Sequence, residues 1–176
     1  MIEKLVRFLV KRAGKEYSPR FRAAATVLGA ALFLIVWPLV VGWAGLVWPG
    51  EIFSVPASKV LSTALFILGV PWVVGSVAWQ LWKGQGTPVP VVPTKHFLQS
   101  GPYKYCRNPM MLGFFLYLSG WAVCFNQLGA YAAAAVLVLL LVAEIKCVEE
   151  KELELRFGDA YREYKRTIPP FIPKFK

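Results

Sequence analysis

The chain has 176 residues, of which 57% are hydrophobic and only 17% are charged. This composition excludes an ordinary soluble domain, because a soluble domain of this size needs far more polar residues to cover its core. The net charge of +10 comes without a basic and aromatic recognition module, so we expect no nucleic-acid partner and assign the charge to anionic lipid headgroups.

Residues 1–22 are predicted to form a basic helix on the membrane surface. Within Met1–Gly14, apolar and basic residues alternate at helical spacing. That pattern is typical of an interfacial helix rather than a spanning one. We expect no signal peptide here.

Four apolar segments follow, each long enough to cross a hydrocarbon layer about 30 Å thick. We predict spans at 23–48, 58–82, 109–125 and 128–145. Because only two polar residues separate the last two spans, these spans are predicted to form a tight helical hairpin. The expected fold is an all-α integral membrane protein of about four transmembrane helices, forming one domain over residues 1–176. Its part 23–82 holds the first two spans, and 83–176 holds a loop, the hairpin and a helical tail.

The distribution of basic residues predicts the orientation. Lysine and arginine are concentrated before the first span, between the second and third, and after the fourth, whereas the only basic residue near the two other connections is Lys59. The positive-inside rule then predicts a multi-pass protein with both termini and the 83–108 loop in the cytoplasm.

The polar tail from Glu144 onward is predicted to be helical. Leu153, Phe157 and Tyr161 recur at four-residue spacing and form a stripe that we expect to pack onto the 83–108 loop. Gly158 predicts an interruption of this helix.

Metal and histidine chemistry are not expected. His96 is the only histidine, and the three cysteines are widely separated. These residues do not supply the ligands of a zinc site or a Ser-His-Asp triad.

Two multi-residue motifs flank the predicted hairpin. The loop ends in Gly101-Pro102-Tyr103-Lys104-Tyr105-Cys106-Arg107-Asn108-Pro109-Met110-Met111-Leu112-Gly113. The tail carries Glu149-Glu150-Lys151-Glu152-Leu153 and then Phe157-Gly158-Asp159-Ala160-Tyr161-Arg162-Glu163-Tyr164. These strings resemble the G-x-Y-x-x-x-R-[HN]-P-x-x-x-G and E-E-x-x-L-x-x-x-F-G-x-x-Y-x-x-Y motifs of the isoprenylcysteine carboxyl methyltransferase family, which is related to phospholipid methyltransferases. The resemblance covers roughly residues 95–173.

The resemblance implies a membrane enzyme that uses S-adenosylmethionine and leaves S-adenosylhomocysteine as product. It implies a cofactor pocket between loop and tail, with Arg107 as the catalytic residue. The cofactor contacts that it implies are Lys95, Phe97, Leu98, Gly101, Tyr103, Arg107, Asn108, Pro109, Met111, Glu149 and Glu150. The family often has a histidine at the position of Lys95, which is one residue before His96 in this chain. Tyrosine is common in the family at the position of Met111.

The residue chemistry is compatible with this cofactor. Arg107 offers a planar fork of donors for a carboxylate, and Glu149 and Glu150 offer acceptors for an ammonium group or ribose hydroxyls. Asn108 is expected to cap the helix that begins at Pro109. The alternatives are that Arg107 is a topology anchor and that the two glutamates belong to a solvated helix face.

The methyl acceptor stays open at this point. The absence of a general base favours a carboxylate, a thiol or a similarly anionic acceptor. The resemblance implies a lipophilic, isoprenylcysteine-type carboxylate that enters from the bilayer. A phospholipid or small-lipid N-methyltransferase is the alternative within the same class. A transporter or a non-catalytic scaffold is the alternative of another class, although ionisable residues are nearly absent from the predicted spans.

Overall fold

The computed structural model describes residues 2–13, 15–89 and 92–175. All regular structure in this part of the chain is helical, which confirms the predicted all-α class. The helices are α1 (Ile2–Ala13), α2 (Pro19–Ala31), α3 (Trp37–Val47), α4 (Val55–Trp82), α5 (Pro109–Phe125), α6 (Leu128–Glu144) and α7 (Glu150–Thr167). A first π segment (Leu32–Val36) joins α2 to α3, a second (Ile145–Glu149) joins α6 to α7, and a short 3₁₀ helix covers Gly101–Lys104.

Three continuous helical stretches are long and apolar enough to cross a membrane: Pro19–Val47, Val55–Trp82 and Leu128–Thr167. The apolar part of the last stretch is α6, and the polar α7 continues beyond it. Helix α5 is a shorter apolar helix of 17 residues, about 25 Å long. The predicted integral membrane architecture is thus confirmed, with α5 shorter than the three continuous stretches.

Three helix limits differ from the predicted ones. The surface helix ends at Ala13, not at residue 22, while Met1 and Gly14 lie outside the described residues. Helix α2 begins at Pro19, where Ser18 accepts a hydrogen bond from the Phe21 N–H at 3.2 Å. Hydropathy located the apolar residues, whereas a serine cap and a proline in the first turn determine where the helix begins. Helix α4 likewise begins at Val55 rather than at residue 58.

The α5–α6 hairpin forms as predicted, and its turn is bonded to the connection between α3 and α4. Asn126 adopts the left-handed conformation (φ 52°, ψ 42°), which asparagine tolerates better than most residues. Its side chain accepts from the Phe53 N–H at 3.1 Å and donates to the Phe53 carbonyl at 2.7 Å. Gln127 accepts from the Gly50 N–H at 2.7 Å.

Helices α4 and α5 cross with their backbones in contact. A methyl group added at Gly69 would lie 2.8 Å from the Gly113 carbonyl oxygen, and one at Gly113 would lie 2.7 Å from the Gly69 oxygen. Small residues permit this approach between membrane helices. Gly113 is the last residue of the loop motif, so its place there is explained by packing. The core around the crossing includes Phe114 and Leu118.

A neighbouring helix compensates for the proline that follows the first π segment. Pro38 has no N–H, so the Leu34 carbonyl four residues earlier loses its donor within the helix. The Tyr117 hydroxyl of α5 donates to that carbonyl at 2.9 Å. The lost hydrogen bond is therefore replaced from a neighbouring helix, as membrane helices with internal proline require.

The N-terminal region, the 83–108 loop and α7 lie at the same end of the bundle. Helix α1 packs against α7 and the second π segment. Arg22 donates to the Gly86 carbonyl at 3.3 Å, and Lys95 lies 3.5 Å from Glu16. The Asn126 turn is at the opposite end. Which compartment each end faces stays a prediction.

Candidate methyl-transfer site

A cavity of about 150 Å³ lies where the loop and tail motifs meet. The long helical hairpin returns the chain to the same end of the bundle, which brings the two distant motifs together. Six of the residues predicted from the sequence line this cavity, namely Tyr103, Arg107, Asn108, Pro109, Met111 and Glu149.

Arg107 is buried and only partly satisfied. Its Nη1 lies 2.7 Å from the Glu150 Oε1, and the two side chains are 8% and 9% exposed. Its Nε has no hydrogen-bond partner within residues 2–13, 15–89 and 92–175. Buried donors in folded proteins are almost always paired, so this nitrogen is available to donate to a ligand in the cavity.

Glu150 is occupied by two cations and does not line the cavity. Besides Arg107, the Lys165 Nζ lies 2.7 Å from its second carboxylate oxygen. The sequence treated Glu149 and Glu150 as equivalent acceptors for the cofactor. The structure separates them, because Glu150 holds Arg107 in place while Glu149 points to the cavity.

Glu149 is half-buried among other carboxylates, beyond the apolar part of its helix. Burial and the adjacent charges of Glu144, Glu152 and Glu150 raise its pKa to about 8. Glu144 and Glu152 also line the cavity, but Glu152 is paired with Arg156 at 2.7 Å. A carboxylate whose pKa is raised in this way favours a cationic ligand, which would stabilise its charged form.

The second π segment sets the direction of Glu149 and Glu150. The Glu150 N–H donates to the Ile145 carbonyl five residues earlier instead of four. One extra residue in a turn rotates every later side chain by about 100° about the helix axis. The two glutamates therefore follow a different register from the lipid-facing residues of α6.

Tyr103 contributes a neutral hydroxyl to the cavity wall. Gln80 donates to this hydroxyl at 2.5 Å, and the Tyr164 hydroxyl donates to the Tyr103 carbonyl at 2.6 Å. Burial raises the pKa of Tyr103 well above its ordinary value, so it stays protonated. The Gln80 Oε1 is a second buried polar atom at this cavity without a partner among the described residues.

The tail packs onto the loop through one aromatic side chain. The Phe97 ring lies 5.0 Å from that of Phe157, 5.8 Å from that of Tyr161 and 5.3 Å from that of Tyr164. Gly158, at φ 55°, interrupts the helix between these aromatic residues, as the sequence predicted. Phe97 thus joins the two motifs and does not line the cavity.

The segment that follows α7 forms hydrogen bonds with the loop motif. The Arg107 and Asn108 N–H groups donate to the carbonyls of Pro169 and Pro170 at 2.9 and 3.0 Å. The Asn108 side chain also donates to the Pro170 carbonyl, at 3.1 Å. Asn108 therefore occupies the cap position of α5 without forming the predicted side-chain cap, because its amide is used by this C-terminal segment.

Three other predicted contacts lie outside the cavity lining. Lys95 is half-exposed and pairs with Glu16. Leu98 packs close to Gly84, and Gly101, at φ +62°, lies against the Trp79 ring. Their roles as cofactor contacts stay predictions.

Sequence reasoning missed much of the cavity wall, including Leu9, Gln80, Thr94, Glu152 and Arg156. Glu152 and Arg156 carried a signal, because opposite charges four residues apart pair on a helix. Leu9 and Gln80 come from remote helices, and no local pattern marks them.

An apolar cavity of about 330 Å³ adjoins the polar one, between α2, α4 and α5. Among its lining residues only Thr26 carries a polar side-chain group, and that hydroxyl donates to the Arg22 carbonyl at 2.9 Å. The two cavities share Phe33, Pro88, Val89, Met110 and Met111 as lining residues. A polar chamber and an apolar chamber thus meet across a wall of apolar side chains.

Comparison with known proteins agrees with the motifs. A family model described as phospholipid methyltransferase matches residues 57–160. The chain is 37% identical over 71 residues to methanethiol S-methyltransferase 1 of Bradyrhizobium diazoefficiens, which is 40% of this chain and 24% of that protein. It is 34% identical over 74 residues to methanethiol S-methyltransferase 2 of the same organism, which is 41% and 27%. The chain thus matches about a quarter of the length of these curated relatives. Because the family match extends over more than half of the chain, this protein belongs to the phospholipid methyltransferase family of membrane methyltransferases.

Proposed function

We propose that this chain transfers the methyl group of S-adenosylmethionine to a lipophilic acceptor where the two cavities meet. The observation that carries the proposal is the buried Arg107 Nε, which has no partner among the described residues, in a cavity lined by three glutamates and beside an apolar cavity.

The residues present fit both charges of this methyl donor. The Arg107 Nε can donate to a carboxylate, and the ion pair with Glu150 holds the guanidinium in a fixed plane. Glu149 and Glu144 supply negative charge for the ammonium and sulfonium groups. The Gln80 Oε1 offers an acceptor for a hydroxyl or an amine.

When bound, S-adenosylmethionine supplies an activated methyl group on sulfur, and S-adenosylhomocysteine remains as product. The protein must therefore align an acceptor with that methyl group and exclude water. Met110, Met111 and Phe33 line both cavities and can form a dry passage between them.

An acceptor that arrives as an anion, a carboxylate or a thiolate, fits this site best. Such a nucleophile needs no proton removed, and the nearby hydroxyl and thiol groups are poor bases. Burial raises the pKa of Tyr103 and raises that of Cys106 to about 11. The names of the two curated relatives indicate a thiol acceptor for those proteins. An isoprenylcysteine-type carboxylate is the matching lipid acceptor.

An aminophospholipid is the second candidate, and one observation favours it. Glu149, with its pKa raised to about 8, is in its ionised form a stronger base than an ordinary carboxylate and can then accept a proton from an amine.

The test has two stages. The purified protein in lipid nanodiscs is titrated with S-adenosylhomocysteine by calorimetry, and then incubated with methyl-labelled S-adenosylmethionine and three acceptors. These are a prenylated cysteine, a long-chain thiol and phosphatidylethanolamine. Labelled ester or thioether supports the leading proposal, and labelled phosphatidylethanolamine supports the second. Absence of binding and of label with all three would contradict both.

A further inference from the structure

Helix α1 forms one wall of the polar cavity. Val6 is only 3% exposed, at the contact of α1 with α7 and the second π segment. One turn further, Leu9 lines the same cavity as Glu149 and Arg107. The site is therefore bounded not only by the two motifs but also by a helix far from them in sequence.

A second face of α1 is apolar and exposed. Leu5 is 46% exposed and Phe8 is 50% exposed, and the Arg12 guanidinium lies 4.8 Å above the Phe8 ring. This arrangement is typical of a helix at the membrane interface, where the rings enter the acyl boundary and the guanidinium stays among the headgroups.

The third face of α1 is basic. At 100° per residue, Lys4, Arg7 and Lys11 fall within an arc of about 60°. All three are exposed, and no salt bridge to them occurs within the described residues. This basic edge, formed by Lys4, Arg7 and Lys11, borders the apolar face of Leu5 and Phe8. The basic edge and the apolar face can therefore contact a bilayer surface at the same time.

We infer that α1 docks on an anionic bilayer surface and that this docking positions the wall that α1 contributes to the polar cavity. Headgroup phosphates bind the basic edge, Leu5 and Phe8 enter the interface, and this docking holds Val6 and Leu9 against the second π segment. An acidic soluble protein would match the charge but not the exposed apolar face beside it. The link to methyl transfer rests on the proposed function, whereas the docking does not.

Hydrogen–deuterium exchange tests the docking without any cofactor. The protein is compared in nanodiscs of phosphatidylcholine with and without phosphatidylglycerol. The anionic lipid should slow exchange at least fivefold in α1 and in residues 145–153. The triple variant Lys4→Glu, Arg7→Glu, Lys11→Glu should lose this difference. The matched triple Lys151→Glu, Arg162→Glu, Arg166→Glu, made at exposed positions of α7, should keep it. Equal exchange in both lipids, or the same loss in both triples, overturns the inference.

Binding of S-adenosylhomocysteine in the same nanodiscs tests the link to the site. Leu9→Ala should weaken binding at least fivefold in either lipid, because its side chain contacts the cavity. Leu5→Ala should weaken binding only in the nanodiscs with phosphatidylglycerol, where the anionic lipid strengthens binding by the unmodified protein. Similar effects of the two variants in both lipids would contradict a wall that responds to lipid. If exchange depends on lipid but S-adenosylhomocysteine binds in neither nanodisc, the docking stands and the proposed methyl donor is wrong.

Discussion

The Arg107 Nη1 lies 2.7 Å from the Glu150 Oε1, although 43 residues separate the two in sequence. This ion pair joins the start of α5 to the start of α7 across the whole hairpin. Removal of Glu150 would leave the buried Arg107 charge without a carboxylate partner, whereas removal of Arg107 leaves Glu150 paired with Lys165.

Arg107→Ala should weaken S-adenosylmethionine binding by about 2 kcal/mol or more, the scale for losing a charged hydrogen-bond partner. Arg107→Lys should restore only part of this loss, because an ammonium cannot hold Glu150 and donate from the Nε position together. Calorimetry on both variants measures the effect. Normal binding by Arg107→Ala would reduce Arg107 to a topology anchor.

Cofactor binding should depend on pH through Glu149. Its pKa of about 8 in the free protein means that it is largely protonated at neutral pH. A cationic ligand lowers that pKa, so binding releases a proton and affinity rises as pH increases toward 8. Calorimetry in buffers of different ionisation enthalpy counts this proton. Glu149→Gln should abolish the release, whereas Glu163→Gln, at an exposed position of α7, should not. Unchanged release in Glu149→Gln would assign the proton to another group.

The C-terminal segment should be required for the site but not for insertion. Truncation after Thr167 removes the carbonyls that accept from the Arg107 and Asn108 N–H groups, each bond contributing about 1 kcal/mol. Cofactor binding should fall by on the order of tenfold or more, and truncation before Glu149 should abolish it. Ile172→Ala, at an 80% exposed position, is the control and should bind normally. Native affinity after the longer truncation would exclude a two-part pocket.

Tyr117→Phe should lower the thermal unfolding temperature in detergent. The variant leaves the Leu34 carbonyl without its donor, at a cost of about 1 kcal/mol. Pro38→Ala returns an N–H to the same helix. In that background Tyr117→Phe should cost less, which a double-mutant cycle measures directly. Additive effects would show that the two residues act independently.

The predicted orientation can be tested with single cysteines. Gln127, in the α5–α6 turn, is hydrogen-bonded to Gly50 and is therefore a poor position for labelling. Glu51 lies next to Gly50 in the connection between α3 and α4 and is exposed, so it is the better position. A variant with its only cysteine at position 51 should react from outside the cell, and one at position 95 only after permeabilisation. The reverse pattern would invert the topology.

The sequence predicted α5 to the residue, because a proline in its first turn and two polar residues at its end mark both limits. It also predicted that the two motifs meet, since two antiparallel spans must return the chain to the same end of the bundle. Polar residues are rare in this chain, so their clustering in two strings was itself informative.

The remaining parts of the site depend on tertiary contacts. Pro169 and Pro170 predict no more than the end of a helix, yet their carbonyls accept hydrogen bonds from the loop motif. Leu9 belongs to a pattern that predicts a surface helix, and nothing in that pattern tells which neighbour its inner face covers. Glu149 lines the cavity, whereas Glu150 pairs with Arg107. This difference follows from the second π segment, which the sequence does not reveal.

The contact between Gly69 and Gly113 restricts how this protein can move. With backbone against backbone, neither helix has a side chain that can yield, so α4 and α5 shift together as a rigid pair. The third wall of the apolar cavity is the helix that carries Phe33. This helix contains the first π segment, and its Leu34 carbonyl accepts a hydrogen bond from the Tyr117 hydroxyl. We therefore expect the continuous helix Pro19–Val47 to be the part that moves when the proposed acceptor enters from the bilayer. For the proposed acceptor, we expect the rate of entry to depend on how readily this helix bends, and hence on the fluidity and thickness of the surrounding lipid.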